Sequence, residues 1–556
     1  MSTDTDQRNY ILNALPAVTV FVAVFFYRGI PFIDDAYFFF RYAENWANGF
    51  GPVYNVGEYV EGCSSFLWVA LLAFGNFFGF EPIMFASFLN LFIGIANILL
   101  VTYFCDLLKI SKSRLMPVSL SLFYALTHGS AYYALGGMDV LIFSLVLMLC
   151  LCSTYKSLNS GNYLTTLPFF LLLLLVRAEG FAYAIVIFAV FTSFIHINRR
   201  HLGTEGLFPI RFIMTTVFFV LMVIAVFLIR YSYYNEWVPL PVIAKGWASH
   251  SFKEVLWEGN VKALRDFLRV IVSGLKYEAP LLYLGAWIPF VVLLRRKDSS
   301  DFLLWLFAFC ISLNVFVSVW AGGDFFPYKR HLLPVLPLLM IFMAWAASLF
   351  IRVCREKSRP MRYSVYTTMT IIALLWIGFF IRPSIISKKY IGIERTSHLQ
   401  EVGELLAGLK FPTTLLSDMG GKLPYYAGPN VYVREMYGLT DIQNAKHGDV
   451  WCLIDHMGDS GTCGRTDYKY SFETPFDVFT YTSKENHRRF ISFCRGNPSV
   501  CADYRYIHKK EWLDPPYIPS YPLRIIANMH HPAYQVLLGK PGAVALPVDE
   551  NILELE

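Results

Sequence analysis

The chain has 556 residues, 56% hydrophobic and only 16% charged, with a mean hydropathy of +0.46, which excludes a soluble globular enzyme and a disordered protein because soluble chains carry about 25% charged residues. The net charge of +6 is modest, much of it lies in short loops, and it makes no case for nucleic acid. Apolar runs longer than about 18 residues, such as Leu332 to Ile351, read as membrane spans, so the expected class is a polytopic α-helical membrane protein.

The first apolar stretch, Ile11 to Tyr27, exceeds a signal-peptide core and no small-x-small site follows it, so it is expected to remain as the first span. Spans are predicted at 11–28, 82–105, 115–134, 139–155, 163–176, 181–197, 212–234, 279–294, 302–320, 331–351 and 363–382, or about eleven crossings. Ser65 to Phe78 is apolar but, at about 14 residues, suits a juxtamembrane or re-entrant helix better than a crossing. Basic clusters at Lys109, Lys112 and Arg114, at Arg199 and Arg200, at Arg295 to Lys297 and at Arg352 to Arg362 belong on the cytoplasmic side by the positive-inside rule. That sorting places the N-terminus inside and a multi-pass domain, residues 1–382, in the inner or plasma membrane. The outer loops 29–80 and 235–278 then lie on the opposite face. The spans are nearly free of mid-helix charge and show no internal repeat, unlike a transporter's.

From about Pro383 to Glu556 the composition changes, with charges of both signs and turn pairs such as Gly420-Gly421 and Pro515-Pro516. This reads as a C-terminal α/β domain, residues 383–556, outside the cytoplasm and long enough for its own core. Cys452, Cys463, Cys494 and Cys501 lie in it. On an oxidising side they suggest two local disulfides, most simply Cys452 with Cys463 and Cys494 with Cys501, and their spacing is not a zinc pattern. The cysteines in or beside the spans read as small hydrophobes.

The chemistry-bearing residues collect in the outer loops. Directly after the first span comes Pro31-Phe32-Ile33-Asp34-Asp35-Ala36-Tyr37. Adjacent carboxylates at a water boundary can have separated pKa values, leaving one to act as a base. The plainer alternative is that Asp34 caps a helix from Ala36 to Asn48 and the helix dipole favours Asp35.

The loop continues Arg41-Tyr42-Ala43, Gly49-Phe50-Gly51, Tyr54-Asn55-Val56-Gly57-Glu58, Val60-Glu61-Gly62 and Phe66-Leu67-Trp68. It resembles the first loop of the mycobacterial terminal β-(1→2)-arabinofuranosyltransferases and their bacterial relatives. Further blocks resemble that family in order: Gly136-Gly137-Met138-Asp139; Arg177-Ala178-Glu179-Gly180; Tyr233-Tyr234, Pro241 and Ala244-Lys245; Gly322-Gly323-Asp324, Pro327 and Arg330; Asp418-Met419-Gly420, Tyr425-Tyr426 and Gly438-Leu439-Thr440-Asp441. Departures are Ala178 for Pro, the missing Asn-Thr before Lys245, and Cys63 for Tyr. The resemblance implies a GT-C-like fold and a glycosyltransferase, most simply inverting, with a polyprenyl-phosphate sugar, arabinofuranose, as donor. It also implies a cell-envelope glycan or glycolipid as acceptor.

Such a transfer needs a base for the acceptor hydroxyl and positive charge for the departing phosphate. The candidates are Asp34 or Asp35 as base and Arg330, Lys245 and Arg177 around the phosphate, with Asp324, Glu179 and Glu61 completing the substrate-binding set. A Lys or Arg at a span end is also a common interface anchor, and Asp139 and Glu179 read equally as helix caps or partners of a nearby Arg. A monophosphate donor does not by its charge require a metal, so the cofactor is left open. Transfer of another sugar to lipopolysaccharide or protein, and a noncatalytic lipid or glycan transporter or assembly protein, are the competing readings.

Overall fold

The computed structural model describes residues 3–28, 31, 33–110, 114–197, 209–245, 268, 290–291, 293–294, 301–320, 330–355, 397–454, 461–513 and 523–548. The membrane portion is helical: α1 (Thr3–Tyr27), α2 (Asp34–Ala47), α3 (Phe66–Phe77), α4 (Pro82–Leu107), α5 (Leu115–Leu126), α6 (His128–Leu135), α7 (Val140–Ser160), α8 (Leu167–Val176), α9 (Gly180–Ile197), α10 (Ile210–Tyr234), α11 (Leu240–Lys245), α12 (Phe302–Trp320) and α13 (Leu336–Arg355). Among the described residues, Tyr10–Tyr27, Pro82–Leu107, Val140–Ser160, Gly180–Ile197 and Ile210–Tyr234 are long and apolar enough to cross a membrane, and several shorter apolar helices accompany them.

Local chemistry sets the helix ends. Glu81 caps α4, its carboxylate accepting from Met84 N at 2.7 Å, and Pro82 occupies the first turn. Gly161 ends α7 at a φ of +68°. α3 has 12 residues, about 18 Å at 1.5 Å per residue, well short of a hydrocarbon core of about 30 Å. It packs between α2, α4 and α8.

Two expected spans are corrected, and a third, 163–176, keeps its bounds. The 115–134 segment breaks at Thr127, which is extended at φ −62° and ψ 122°; its hydroxyl bonds back to Phe123 O at 2.9 Å, and the next residue, His128, meets Arg28 at 2.6 Å. The 163–176 segment opens with a 3-10 turn, Tyr163–Thr166, before Pro168 permits the α-helix. The helix expected from 331 starts at Leu336, after a turn carrying Pro334. The expected span 363–382 lies outside the described residues, as does nearly all of 279–294.

The tail is α/β. Its six-stranded sheet runs β2-β1-β5-β7-β6-β8 from β1 (Thr413–Ser417), β2 (Val431–Glu435), β5 (Val478–Tyr481), β6 (Tyr504–His508), β7 (Arg524–Asn528) and β8 (Val544–Leu546), while β3 (Asp449–Ile454) and β4 (Gly461–Thr466) form a separate hairpin. β1 is parallel to β2 and β5, and the remaining pairs in the sheet are antiparallel. Strand alternation separates two faces. Leu416, Phe479 and Tyr506 join Phe472, Phe476 and Phe490 in an aromatic core. Leu415, Val433 and Val478 on the other face join α14 (Ser397–Ala407) in a cluster continuous with the membrane helices. Short helices α15 (Lys422–Ala427) and α16 (Ile442–His447) follow β1 and β2. Cys494 and Cys501 form a disulfide, with Cα atoms 5.5 Å apart, and the β3–β4 register sets Cys452 opposite Cys463. Cys63, Cys105, Cys150, Cys152 and Cys310 are buried and unbridged.

Candidate active site

Asp34 and Asp35 occupy the first turn of α2, and their side chains take different partners. Ile33 precedes the helix and no side chain caps it, so Asp34 is not the cap of its own helix. Its Oδ2 accepts from Gly421 N–H at 3.0 Å and its Oδ1 from Lys422 N–H at 2.8 Å, which makes it the cap of α15 in the tail. Burial pushes the Asp34 carboxyl up to about 7; the Asp35 charge adds to the rise and the two backbone N–H groups oppose it. Asp35 instead accepts from Arg330 Nη1 at 2.9 Å, across 295 positions of sequence.

Arg330 leads into a cleft lined by Phe143, Arg177, Glu179, Tyr183, Asn314, Val317, Ser318, His331 and Pro334. Arg177 is clamped between two carboxylates. Its Nη1 donates to both oxygens of Asp139 at 2.9 and 3.0 Å, and its Nε and Nη2 donate to Glu179 at 3.2 and 3.0 Å. Asp139 is fully buried and Glu179 a quarter exposed. The positive charge expected for a phosphate at Arg177 is therefore countered by its own neighbours, and Arg330 is ion-paired with the partly exposed Asp35.

Five of the residues singled out from sequence, Asp34, Asp35, Arg177, Glu179 and Arg330, thus meet at one end of the helix bundle. Two others do not. Glu61 is taken up in a buried ion pair with Arg230 at 2.7 Å, and its carbonyl accepts from Leu240 N at 2.9 Å. Lys245 ends α11, which packs on α16 and β4 of the tail rather than lining the cleft. Asp324 lies outside the described residues.

The first-loop motif residues staple this loop to the tail. Arg41, 3% exposed, donates to the carbonyls of Tyr54 at 2.8 Å and Val431 at 2.9 Å and also to that of Pro424. Tyr54 Oη donates to Gly420 O at 2.6 Å, and Asn55 exchanges two bonds with the Val433 backbone at 2.9 and 3.0 Å. The approach is close enough to demand glycine: a Cβ on Gly421 would stand 2.1 Å from the Asp34 carbonyl oxygen, and one on Gly420 would stand 2.2 Å from the Phe38 ring. The carboxyl end of β1, where an open α/β sheet usually receives a ligand, is thereby covered by the first loop.

Sequence reasoning missed several of these groups. Lys422 is buried with its Nζ 5.9 Å from the Tyr37 ring and 5.8 Å from that of Tyr426, and burial pushes its ammonium down to about 8, against the pull of Asp34. Gly420-Gly421 was legible as a turn but not as the start of a helix aimed at Asp34. Asn314 and Ser318 lie four apart in an otherwise apolar run, a spacing that puts two polar side chains on one helix face and could have flagged the cleft.

No protein-family model matches the chain, and no curated protein matches it in sequence. Solved structures do match its fold. The archaeal oligosaccharyltransferase AglB from Archaeoglobus fulgidus, in complex with an inhibitory peptide and a dolichol-phosphate, aligns over 97% of this chain and 75% of its own, with a TM-score of 0.53 and 12% identity. The apo form of the Archaeoglobus fulgidus oligosaccharyltransferase gives a TM-score of 0.53 over 97% and 76% at 12% identity. ArnT from Cupriavidus metallidurans bound to undecaprenyl phosphate aligns over 93% and 97% at 11% identity, but its TM-score of 0.46 is too low to carry weight. The fold is therefore the expected one: a GT-C-like polytopic helical domain followed by a C-terminal α/β domain.

Proposed function

We propose that this chain is a membrane glycosyltransferase that moves a sugar, arabinofuranose by the resemblance of its first loop, from a polyprenyl-phosphate carrier to a cell-envelope glycan or glycolipid on the outer face of the membrane. The observation that carries this reading is the meeting of two motifs 295 positions apart, with Asp35 held on Arg330 and Asp34 alongside. A fold shared with an oligosaccharyltransferase supports it.

In this reading an acceptor hydroxyl oxygen attacks the anomeric carbon, the bond from that carbon to the phosphate oxygen breaks, and the hydroxyl proton passes to Asp34. The carrier phosphate leaves with the bonding electron pair. Asp34 is the better base because burial raises its carboxyl to about 7, so that near pH 7 it is about half ionised and accepts a proton well. Asp35, already committed to a guanidinium, orients Arg330 toward the charge that develops on the leaving phosphate. Arg177 and Glu61 have no part in that step, since both charges are spent on internal partners.

The test is transfer by the purified full chain, reconstituted with polyprenyl-phosphate pentoses and hexoses and with glycan and glycolipid acceptors, with the product linkage identified. Product formation that is lost in Asp34→Asn supports the proposal. Absence of transfer from every donor, together with carrier movement across the vesicle membrane, would put a transporter in its place.

A further inference from the structure

Two motif segments take no part in the proposed reaction: Gly49-Phe50-Gly51 in the first loop and Tyr233-Tyr234 at the end of α10. The fold brings them together. Gly51 has a φ of +85°, and a Cβ there would stand 2.3 Å from Tyr233 Oη, so the glycine admits the ring. Tyr234 Oη donates to Pro52 O at 2.9 Å, and Tyr59 meets Tyr233 edge-on with ring centroids 5.1 Å apart. These rings are held in place by the protein itself.

Fixed rings in a loop normally serve its core, as the buried Tyr54 does, yet Tyr59 is 54% exposed and Phe50 43%. The patch also has a polar edge. Glu58 accepts from Asn55 Nδ2 at 2.8 Å and from Tyr432 Oη, on β2 of the tail, at 3.4 Å. Position decides what such a patch can meet. Phe50 N donates to Asn45 O at 3.0 Å, which sets the rings at the C-terminal end of α2, whereas Asp34 lies in its first turn. The helix has 14 residues, about 20 Å at 1.5 Å per residue. That is too far for the reacting sugar or for a single acceptor unit, and suits a later unit of an extended saccharide chain. A bilayer requires no fixed ring geometry and would take the neighbouring Glu58 carboxylate out of water at a cost.

We propose that Phe50, Tyr59 and Tyr233 form a platform on which sugar rings of an extended acceptor glycan stack, several units away from the hydroxyl that reacts. Rigid tyrosine rings offer a large amphipathic contact at little cost in side-chain entropy, and the Glu58 edge offers acceptors to sugar hydroxyls. The proposal rests on the glycosyltransferase reading and adds that the acceptor is an oligosaccharide or polymer rather than a single sugar unit.

The experiment measures transfer by the full chain in nanodiscs, with polyprenyl-phosphate pentoses and hexoses as donors and arabinose and hexose oligosaccharides, from disaccharide to octasaccharide, as acceptors. Wild type should favour the longer acceptors in kcat/KM. In Tyr59→Ala and in Phe50→Ala the ratio of octasaccharide to disaccharide kcat/KM should fall by about 3- to 10-fold, the loss expected for one aromatic contact. That ratio does not depend on how much of the variant folds. Tyr59→Phe keeps the ring and should keep the preference. A ratio unaltered in both alanine variants overturns the proposal, as does a wild type that uses all lengths equally, and either result leaves the transferase reading standing. The emission added by Tyr59→Trp should shift with octasaccharide; quenching by brominated lipids with no response to saccharide would give the patch to the bilayer and overturn the proposal. A wild type that transfers to no acceptor removes both readings.

Discussion

In the proposed reaction Asp34 has two partners to satisfy: the acceptor proton and the tail. As a base it must be ionised, so transfer should fall about tenfold per pH unit below about 7 and level off above it. Asp34→Asn should lower the rate by about 10² to 10⁴, since an amide cannot take the proton. Asp35→Asn loosens Arg330 instead, and its loss should appear with the acid limb still near pH 7. A pH–rate profile of each variant checks both. The same carboxyl predicts an opposite trend in stability. Its folded value of about 7 exceeds the ordinary Asp value of about 3.9, so the folded state binds the proton more tightly than the unfolded. The resulting stabilisation is complete below the ordinary value and is lost as pH rises through about 7. Glu435, buried with its oxygens on the N–H groups of Tyr437 and Leu439, is pushed up to about 8 by burial and acts in the same direction. The thermal midpoint should therefore fall from pH 5 to pH 9, and Asp34→Asn should flatten part of that slope.

Helix α2 is held to the tail more by backbone acceptors than by charge. Arg41→Ala removes the donor shared by three buried carbonyls, those of Tyr54, Pro424 and Val431. Leaving them unsatisfied should cost about 2 to 4 kcal/mol, visible as a lower unfolding midpoint and earlier proteolytic release of the tail. Gly421→Ala forces a methyl group into the Asp34 backbone, so it should depress transfer by moving the carboxylate while the bundle remains folded. On the far side of the loop, the Glu61 and Arg230 pair is structural. Glu61→Gln strands a largely buried guanidinium and should cost about 3 kcal/mol, with the donor KM of the folded fraction unchanged. Replacing both partners by apolar residues should recover most of that stability, whereas a donor-binding Glu61 would leave the double variant with an impaired KM.

At the level of the whole molecule, the short α3 sets the direction of everything after it. At 12 residues it falls short of the usual crossing length, so a reporter fused after Ile110 should read cytoplasmic and one after Glu556 should read outside. An outside reading at Ile110 would mean that the 65–78 segment spans after all and would invert the later loops. A tail outside the cytoplasm, as the basic loops lead one to expect, also predicts an oxidised Cys494–Cys501 bridge and, from the β3–β4 register, a second between Cys452 and Cys463. Mass spectrometry without reductant should find both, and four free thiols would count against the topology as well as the bridges.

Apolar periodicity and length alone determined a polytopic helical domain with a separate tail, because a bilayer demands runs of a minimum length that composition cannot hide. The first-loop residues Asp34, Asp35, Arg41, Tyr54 and Asn55 were likewise legible as a motif, as were Arg177, Glu179 and Arg330. What each one touches was not. Arg41 reads only as one residue of the first-loop motif and is a buried staple in the fold; Glu61 reads as a substrate ligand and is an internal counterion; Arg177 reads as a phosphate binder and is neutralised by Asp139 and Glu179. Charge type is written in the residue, but net field depends on which opposite charge the chain returns to within a few ångströms, across tens to hundreds of positions. Only tertiary structure decides that, and it alone set Asp34 against the tail and Asp35 against Arg330.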